Sequence, residues 1–230
     1  SLTTVSWDLE NLLGYLSISN DALLVTLDLS SLLSVGGDLY IYNNASLVTL
    51  DLSSLLSVGN DLSIYDNASL VTLSLPSLLS VGGDLVIYNN ALSQASVDSV
   101  LATFAALDGT GGTTTWDNHI FDASSGTNSP PSSAGFTDAL VLTARGNTVT
   151  VNTSFAITAA AEDPTNTVTI AGDHAAIFTV GNTLTITGST GNDGDWLVAS
   201  SVFGAATVIT INGVLPDSTA DGTISKLILT

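Results

Sequence analysis

The sequence predicts a mainly β protein: a short leucine-rich β-solenoid with a helical cap, followed by a small antiparallel β barrel or sandwich. Three observations carry this. A 23-residue segment recurs in tandem through the first third, a stretch of helical periodicity follows it, and the last third consists of short Thr/Val/Ile runs separated by Gly, Asn, Asp and Pro clusters.

The repeat decides the architecture of residues 1–92. Val35 to Ser57 reads VGGDLYIYNNASLVTLDLSSLLS and Val58 to Ser80 reads VGNDLSIYDNASLVTLSLPSLLS, identical at 18 of 23 positions. A third start at Val81 gives VGGDLVIYNNA, and Leu12 to Ser34 is a degenerate earlier copy. Leu39 and Ile41 alternate with Tyr40 and Tyr42, so the aliphatics take one face of a strand and the tyrosines the other. Gly36-Gly37-Asp38 and Asn43-Asn44-Ala45 mark turns. One copy cannot bury its own apolar face, so the copies must stack, with parallel strands roughly 4.8 Å apart. Leu16, Ile18, Leu39, Ile41, Leu62, Ile64, Leu85 and Ile87 are then expected in one buried row. Residues 2–9 read as a partial coil of a once longer array. Ser1, without a charged or apolar leader, reads as a processed start or as that of a chain made without a signal peptide.

Leu47-x-x-Leu50-x-Leu52-x-x-Leu55 has leucine-rich-repeat spacing. With the whole turn VGGDLYIYNNASLVTLDLSSLLS, it resembles the receptor L-domain type of leucine-rich repeat over residues 12–91. That resemblance implies a right-handed β-solenoid of the kind found in bacterial, phage and receptor ectodomain proteins. No Asn follows Leu52 as the ordinary leucine-rich repeat would have it, which speaks against a horseshoe with a helical convex side.

Residues 93–152 read as a cap and linker. Val97, Val100, Leu101 and Phe104 fall at i, i+3, i+4 and i+7, with Ser93 or Ser96 as N-cap and Gly109 beyond. Gly109 to Gly135 reads as loop, a second helix is expected around Phe136 to Ala144, and a strand at Thr148 to Asn152. In residues 153–230, strands are expected at Phe155–Ala159, Thr167–Ile170, Thr183–Thr187, Trp196–Ser200, Thr207–Ile211 and Thr223–Leu229. The stretch Val180 to Val198, VGNTLTITGSTGNDGDWLV, with VLPDSTADGTI after it, resembles a small β module of phage virion and other surface proteins. It implies a setting rather than an activity.

Charge narrows the partners. Arg145 and Lys226 are the only basic residues against 21 acids, a net charge of −19. Nucleic acid and anionic membrane surfaces both need clustered Lys and Arg, so both are excluded. Mean hydropathy is +0.47, yet no apolar run approaches the ~18 residues that span a bilayer, so no membrane insertion is expected. The chain has no Cys, which removes disulfides and thiolate chemistry.

Catalysis finds little material. Two His (His119 and His174), two Glu (Glu10 and Glu162) and two basic residues cannot readily supply a base, an orienting acid and an oxyanion stabiliser. Asp38, Asp61 and Asp84 form one column at the repeat, and Asp28 and Asp51 another. These columns are the sole support for a polysaccharide-degrading reading. A repeated column fits turn chemistry, in which each carboxylate caps backbone amides, better than a singular catalytic pair. The columns Asn20, Asn43, Asp66, Asn89 and Asp21, Asn44, Asn67, Asn90 read as ladders that satisfy a corner. No cofactor is expected. Calcium is the alternative, at the stacked acids or at the loops Asn192-Asp193-Gly194-Asp195 and Asp217 to Asp221, though neither loop has EF-hand spacing.

Tyr42, Tyr65 and Tyr88 recur at the repeat and, widened by Tyr40, are expected to form an exposed partner- or glycan-binding stripe. Together with the resemblances this predicts a non-enzymatic phage virion-surface protein, such as a tail fibre, head fibre or decoration component. Its partners are expected to be other virion or surface proteins or a host surface glycan, and an oligomer is expected. A bacterial cell-surface adhesin module, extracellular rather than virion-borne, is the alternative. Self-repulsion at −19 destabilises the compact state, so the melting temperature should rise with sodium chloride. A steeper rise with calcium chloride at equal ionic strength would establish a specific site; coincident melting curves would exclude one.

Overall fold

The computed structural model describes residues 3–107, 116–124, 126–153, 155–162, 165–172, 174–175, 177–178 and 183–227. The chain divides into two compact units, Ser1–Asn152 and Thr153–Thr230. Gly109, Val180 and the end of the last expected strand at Leu229 lie outside the described residues.

In the first unit the chain coils, and each coil lays short strands on three sides. One side carries β1 (Thr4–Ser6), β4 (Thr26–Asp28) and β7 (Thr49–Asp51). A second carries β2 (Asn11–Leu12), β5 (Ser34–Val35), β8 (Ser57–Val58) and β10 (Ser80–Val81). The third, which bears the tyrosines, carries β3 (Leu16–Ser19), β6 (Leu39–Tyr42), β9 (Leu62–Tyr65) and β11 (Leu85–Val86). All pairing is parallel and in register with the repeat: Leu16 faces Leu39, Leu39 faces Leu62 and Leu62 faces Leu85. Leu24, Leu27, Leu29 and Leu32 and their equivalents in the next two coils fill the interior with Val35, Val58 and Val81. The expected aliphatic row is buried throughout except Ile18, which is half-buried in the edge coil.

Two corners show why the repeat is so strict. Gly36, Gly59 and Gly82 stack where successive coils approach most closely; a Cβ on Gly59 would lie 2.1 Å from the Gly36 carbonyl oxygen, so no side chain fits. At the other corner Asn20, Asn43, Asp66 and Asn89 hold φ between 54° and 62°, the left-handed region that Asn and Asp tolerate best after Gly. Beside them Asn44, Asn67 and Asn90 are buried and form a ladder. The Asn67 side-chain amide donates to the carbonyls of Ile41 and Tyr65 (2.9 and 3.1 Å), while its oxygen accepts the Asn44 backbone N–H (3.1 Å). Asn90 repeats this one coil on, accepting from Asn67 N–H at 3.0 Å.

The helical segment ends the 23-residue array by continuing one of its sheets. The first helix, α1 (Gln94–Ala105), is N-capped by Ser93, and Val97, Val100, Leu101 and Phe104 face the core. Ser96, the alternative cap, instead turns its hydroxyl onto Leu73, accepting from its N–H (2.6 Å) and donating to its carbonyl (2.8 Å). It thereby satisfies backbone groups that a further coil would have paired. Gly109 to Gly135 is not loop throughout: β12 (Ile120–Ala123) pairs in parallel with β11, Phe121 opposite Leu85. The second helix, α2 (Ser133–Ala144), begins three residues earlier than expected because Ser132 supplies the cap. Beyond it β13 (Thr148–Val151) pairs with β12. The tyrosine-bearing sheet thus reaches six strands, with coils of 36 and 28 residues replacing those of 23. Four residues flanked by polar linkers give too short a pattern to read as a strand; a waiting edge on β11 makes β12 one.

Two side chains tie this extension down. Trp116 is buried against Phe104 (ring centroids 4.6 Å apart) and donates its indole N–H to the Gly83 carbonyl at 2.9 Å. The Arg145 guanidinium donates to the carbonyls of Phe104, Ala105 and Leu107 at the C-terminal end of α1, where a cation is best placed.

The second unit is a closed antiparallel barrel of six strands: β14 (Phe155–Ala161), β15 (Thr167–Ile170), β16 (Thr183–Thr187), β17 (Gly194–Phe203), β18 (Thr207–Asn212) and β19 (Thr223–Leu227). Their order around the barrel is β14-β15-β18-β17-β16-β19. Alternate residues such as Val168, Ile170, Leu184, Ile186, Ile209 and Ile211 point inward. Strand β17 is longer than expected because it bends through a register shift between Val198 and Ser200 while pairing with both β16 and β18.

Replacing Ile64 with Asp puts an unpaired charge between coils and should unfold the array, a loss above about 4 kcal/mol. Asn67→Ala leaves the buried Asn44 N–H without its partner and takes one donor from each of the Ile41 and Tyr65 carbonyls, and should lower stability by about 2 kcal/mol in a denaturant titration. An Ile64→Asp protein with unchanged melting would contradict the stacked-coil core.

Candidate functional site

The tyrosine face follows from the register. Strands in register at one coil spacing place like residues side by side, so the outward positions form two rows: Ser17, Tyr40, Ser63, Val86 and Ser19, Tyr42, Tyr65, Tyr88. In the second row the rings stack. Tyr42 and Tyr65 have centroids 5.1 Å apart with planes at 10°, and Tyr65 and Tyr88 are again 5.1 Å apart at 26°. The expectation was an exposed stripe, but Tyr40, Tyr42, Tyr65 and Tyr88 are all half-buried. The inner ring, Tyr65, is covered on both sides by Tyr42 and Tyr88, so the stack turns edges and hydroxyls to solvent instead of flat faces.

Ring faces are open only where the rows are interrupted. Tyr42 meets Ser19 in the preceding coil, and Tyr40 lies between Ser17 and Ser63. Ser63 is buried, but on the Ser17 side lies a shallow depression of about 390 Å³, lined by Tyr15, Ser17, Asp38, Tyr40, Tyr42 and Tyr65. Sequence reasoning found three of these, Tyr40, Tyr42 and Tyr65, and missed the rest. Tyr88 lies farther along the ladder and is not among the lining residues. The signal for the depression was present in the degenerate first copy, which has Tyr15 where later copies have Asp and serines where they have tyrosines.

Three of the phenols, Tyr40, Tyr65 and Tyr88, have raised pKa values. Burial raises the Tyr40 pKa first, and the charges of Asp38 and Asp61 add to it. For Tyr65, burial again leads, followed by the neighbouring Tyr88 and Tyr42 and by Asp66. Burial and then Asp66 and Asp122 raise Tyr88.

The acidic columns serve the backbone. Asp38 accepts the Asp61 N–H (3.1 Å), Asp61 the Asp84 N–H (2.9 Å), and Asp84 the Ile120 N–H (2.8 Å). Asp28 and Asp51 accept the amides of Ser30 and Ser53 two residues on. In the barrel Asp193 accepts the Ser189 N–H, Asp217 the Thr219 N–H, and Asp221 the amide and hydroxyl of Thr190. Asn192 bonds both backbone groups of Asp217. Among the described residues no three His, Asp or Glu side chains converge on a point that could hold a metal ion.

The two histidines lie in different units. His119 stacks on Trp116 with its Nδ1 3.6 Å from Asp84, whereas His174 is buried against Phe155 in the barrel. Among the described residues no helix is long and apolar enough to cross a membrane.

No family model, curated protein or solved structure matches the chain.

A phenol whose pKa is raised by folding adds stability that is complete below its unfolded value near 10 and is lost as pH rises through the folded value. Phenolate absorbance should therefore show at least three of the five tyrosines titrating above pH 10, with the melting temperature falling across the same range. Tyrosines that all ionise together near 10, with no linked loss of stability, would contradict the packed ladder.

Proposed function

We propose that this protein is a non-enzymatic surface protein that attaches to its partners through the tyrosine face of the solenoid. The observation that carries the reading is the ladder Tyr42–Tyr65–Tyr88, held in fixed register on a rigid parallel sheet beside an open aromatic depression. Aromatic side chains fixed by packing lose little entropy on binding and anchor interfaces. The Asp columns are already engaged by backbone amides, which supports a structural use for them over hydrolysis. The proposed setting is a phage virion surface, as a tail fibre, head fibre or decoration component. It is supported by the resemblance of residues 12–91 to the receptor L-domain type of leucine-rich repeat and of residues 180–198 to virion β modules.

The test is the triple substitution Tyr42→Ser, Tyr65→Ser, Tyr88→Ser. Ser19 already holds the equivalent place in the first coil, so the variant should keep its circular dichroism spectrum. Parent and variant are compared on an array of neutral and anionic oligosaccharides and by sedimentation for self-association. The parent should show binding or self-association that the variant loses. A folded variant that binds and associates as the parent does would move the contact face elsewhere, with the barrel the next place to look.

A further inference from the structure

The depression at the start of the ladder has a chemistry of its own. Four tyrosines, one carboxylate and one serine hydroxyl line it, and no basic side chain is among them. One of its rings, Tyr40, has no aromatic neighbour on the side of Ser17, which itself lines the depression. The rest of the lining includes the Asp38 carboxylate, and a volume of about 390 Å³ is in the range of small-ligand sites.

We infer that this depression seats one neutral hexopyranose residue of a glycan, with its apolar C–H face on Tyr40 and its hydroxyls on Asp38. The inference rests on the reading of the tyrosine face as the contact surface, and it names what that surface takes. A pyranose has the required two sides: an apolar face that stacks on an aromatic ring and a rim of hydroxyls that donate to a carboxylate and accept from phenols. Charge selects among sugars. Asp38 lines the site, Asp61 lies close enough to act on Tyr40, and the whole chain carries −19, so uronic and sialic acids are repelled. A peptide segment would need a longer groove or a free strand edge, whereas this depression is confined to six lining residues, Tyr15 and the ladder residues Tyr42 and Tyr65 among them.

The repeat supplies a test that leaves the ladder intact. Ser17→Tyr places a ring beside Tyr40 within the depression, as Tyr42, Tyr65 and Tyr88 already stack one coil apart, and so should fill the site without disturbing the fold. Tyr40→Ser removes the ring face itself and copies Ser17 and Ser63 in the flanking coils. Methyl glycosides of glucose, galactose and mannose are titrated into the full chain with saturation-transfer NMR, beside glucuronate and choline. At least one neutral glycoside should receive saturation and bind with a Kd of about 1 mM, and Ser17→Tyr and Tyr40→Ser should each weaken it tenfold or more. Glucuronate and choline should not compete.

Absence of binding by all three glycosides would overturn the inference, as would glycoside binding unchanged in both variants or stronger binding of choline. The outcomes separate from those of the contact-face reading. Ser17→Tyr keeps Tyr42, Tyr65 and Tyr88, so a variant that loses the sugar but still self-associates leaves the face standing and assigns the sugar to the depression. Loss of self-association in the triple serine variant, with no glycoside bound by the parent, would retain the face and reject the sugar.

Discussion

The buried asparagine ladder is the interaction on which the rest of the first unit depends. Turning a parallel coil through a tight corner strands backbone groups inside, where unpaired ones cost about 1–3 kcal/mol each. Asn44, Asn67 and Asn90 answer this with one residue per coil, because a carboxamide donates and accepts at once and bridges adjacent coils. Where the coils become irregular the device persists. Asn128 takes the Leu92 N–H at 2.9 Å and donates to Ile87 and Ala123, although 36 or more residues separate it from the groups it meets on the earlier coil. Fixing that corner fixes the register, and the register fixes everything outward of it, tyrosines included.

The solenoid was legible because its signal repeats. One copy of Leu-x-x-Leu-x-Leu-x-x-Leu is ambiguous, but three copies at one spacing place Leu52 or Ile64 without any structure. The corner was equally readable, since Asn and Asp alone occupy the left-handed column and Gly alone the close approach. The six barrel strands were readable from alternation, which sets their existence better than their ends, as β17 shows. Residues 93–152 resisted because nothing there repeats. Trp116, Phe121 and Arg145 act through partners 29 or more residues away in sequence that no local pattern names: Gly83 for the indole, Leu85 for the strand and the end of α1 for the guanidinium.

The tyrosine face was legible in part, and the missing part is instructive. Spacing alone placed Tyr42, Tyr65 and Tyr88 in a row and on the outside. It did not reveal that rings at 5.1 Å cover one another, which converts a row of platforms into a row of edges. An open face then requires a break in the repeat. The informative residues are therefore Ser19 and Tyr15, where the first copy departs from the others, and Tyr40, the one ring in a row otherwise of Ser17, Ser63 and Val86.

The glycine corner limits how such an array can change length. Because each coil rests its Gly column on the carbonyl oxygens of the one before, a single inserted residue there would throw the Gly, Asn, Asp and Tyr columns out of step together. Length can be altered cheaply in two ways: by whole 23-residue units, or on the sides where α1 and α2 replace strands and the tyrosine-bearing sheet runs on undisturbed. The first unit behaves as a ruler with one graduated edge, and a guest segment grafted into it should be tolerated on the blank edges while the graduations stay fixed.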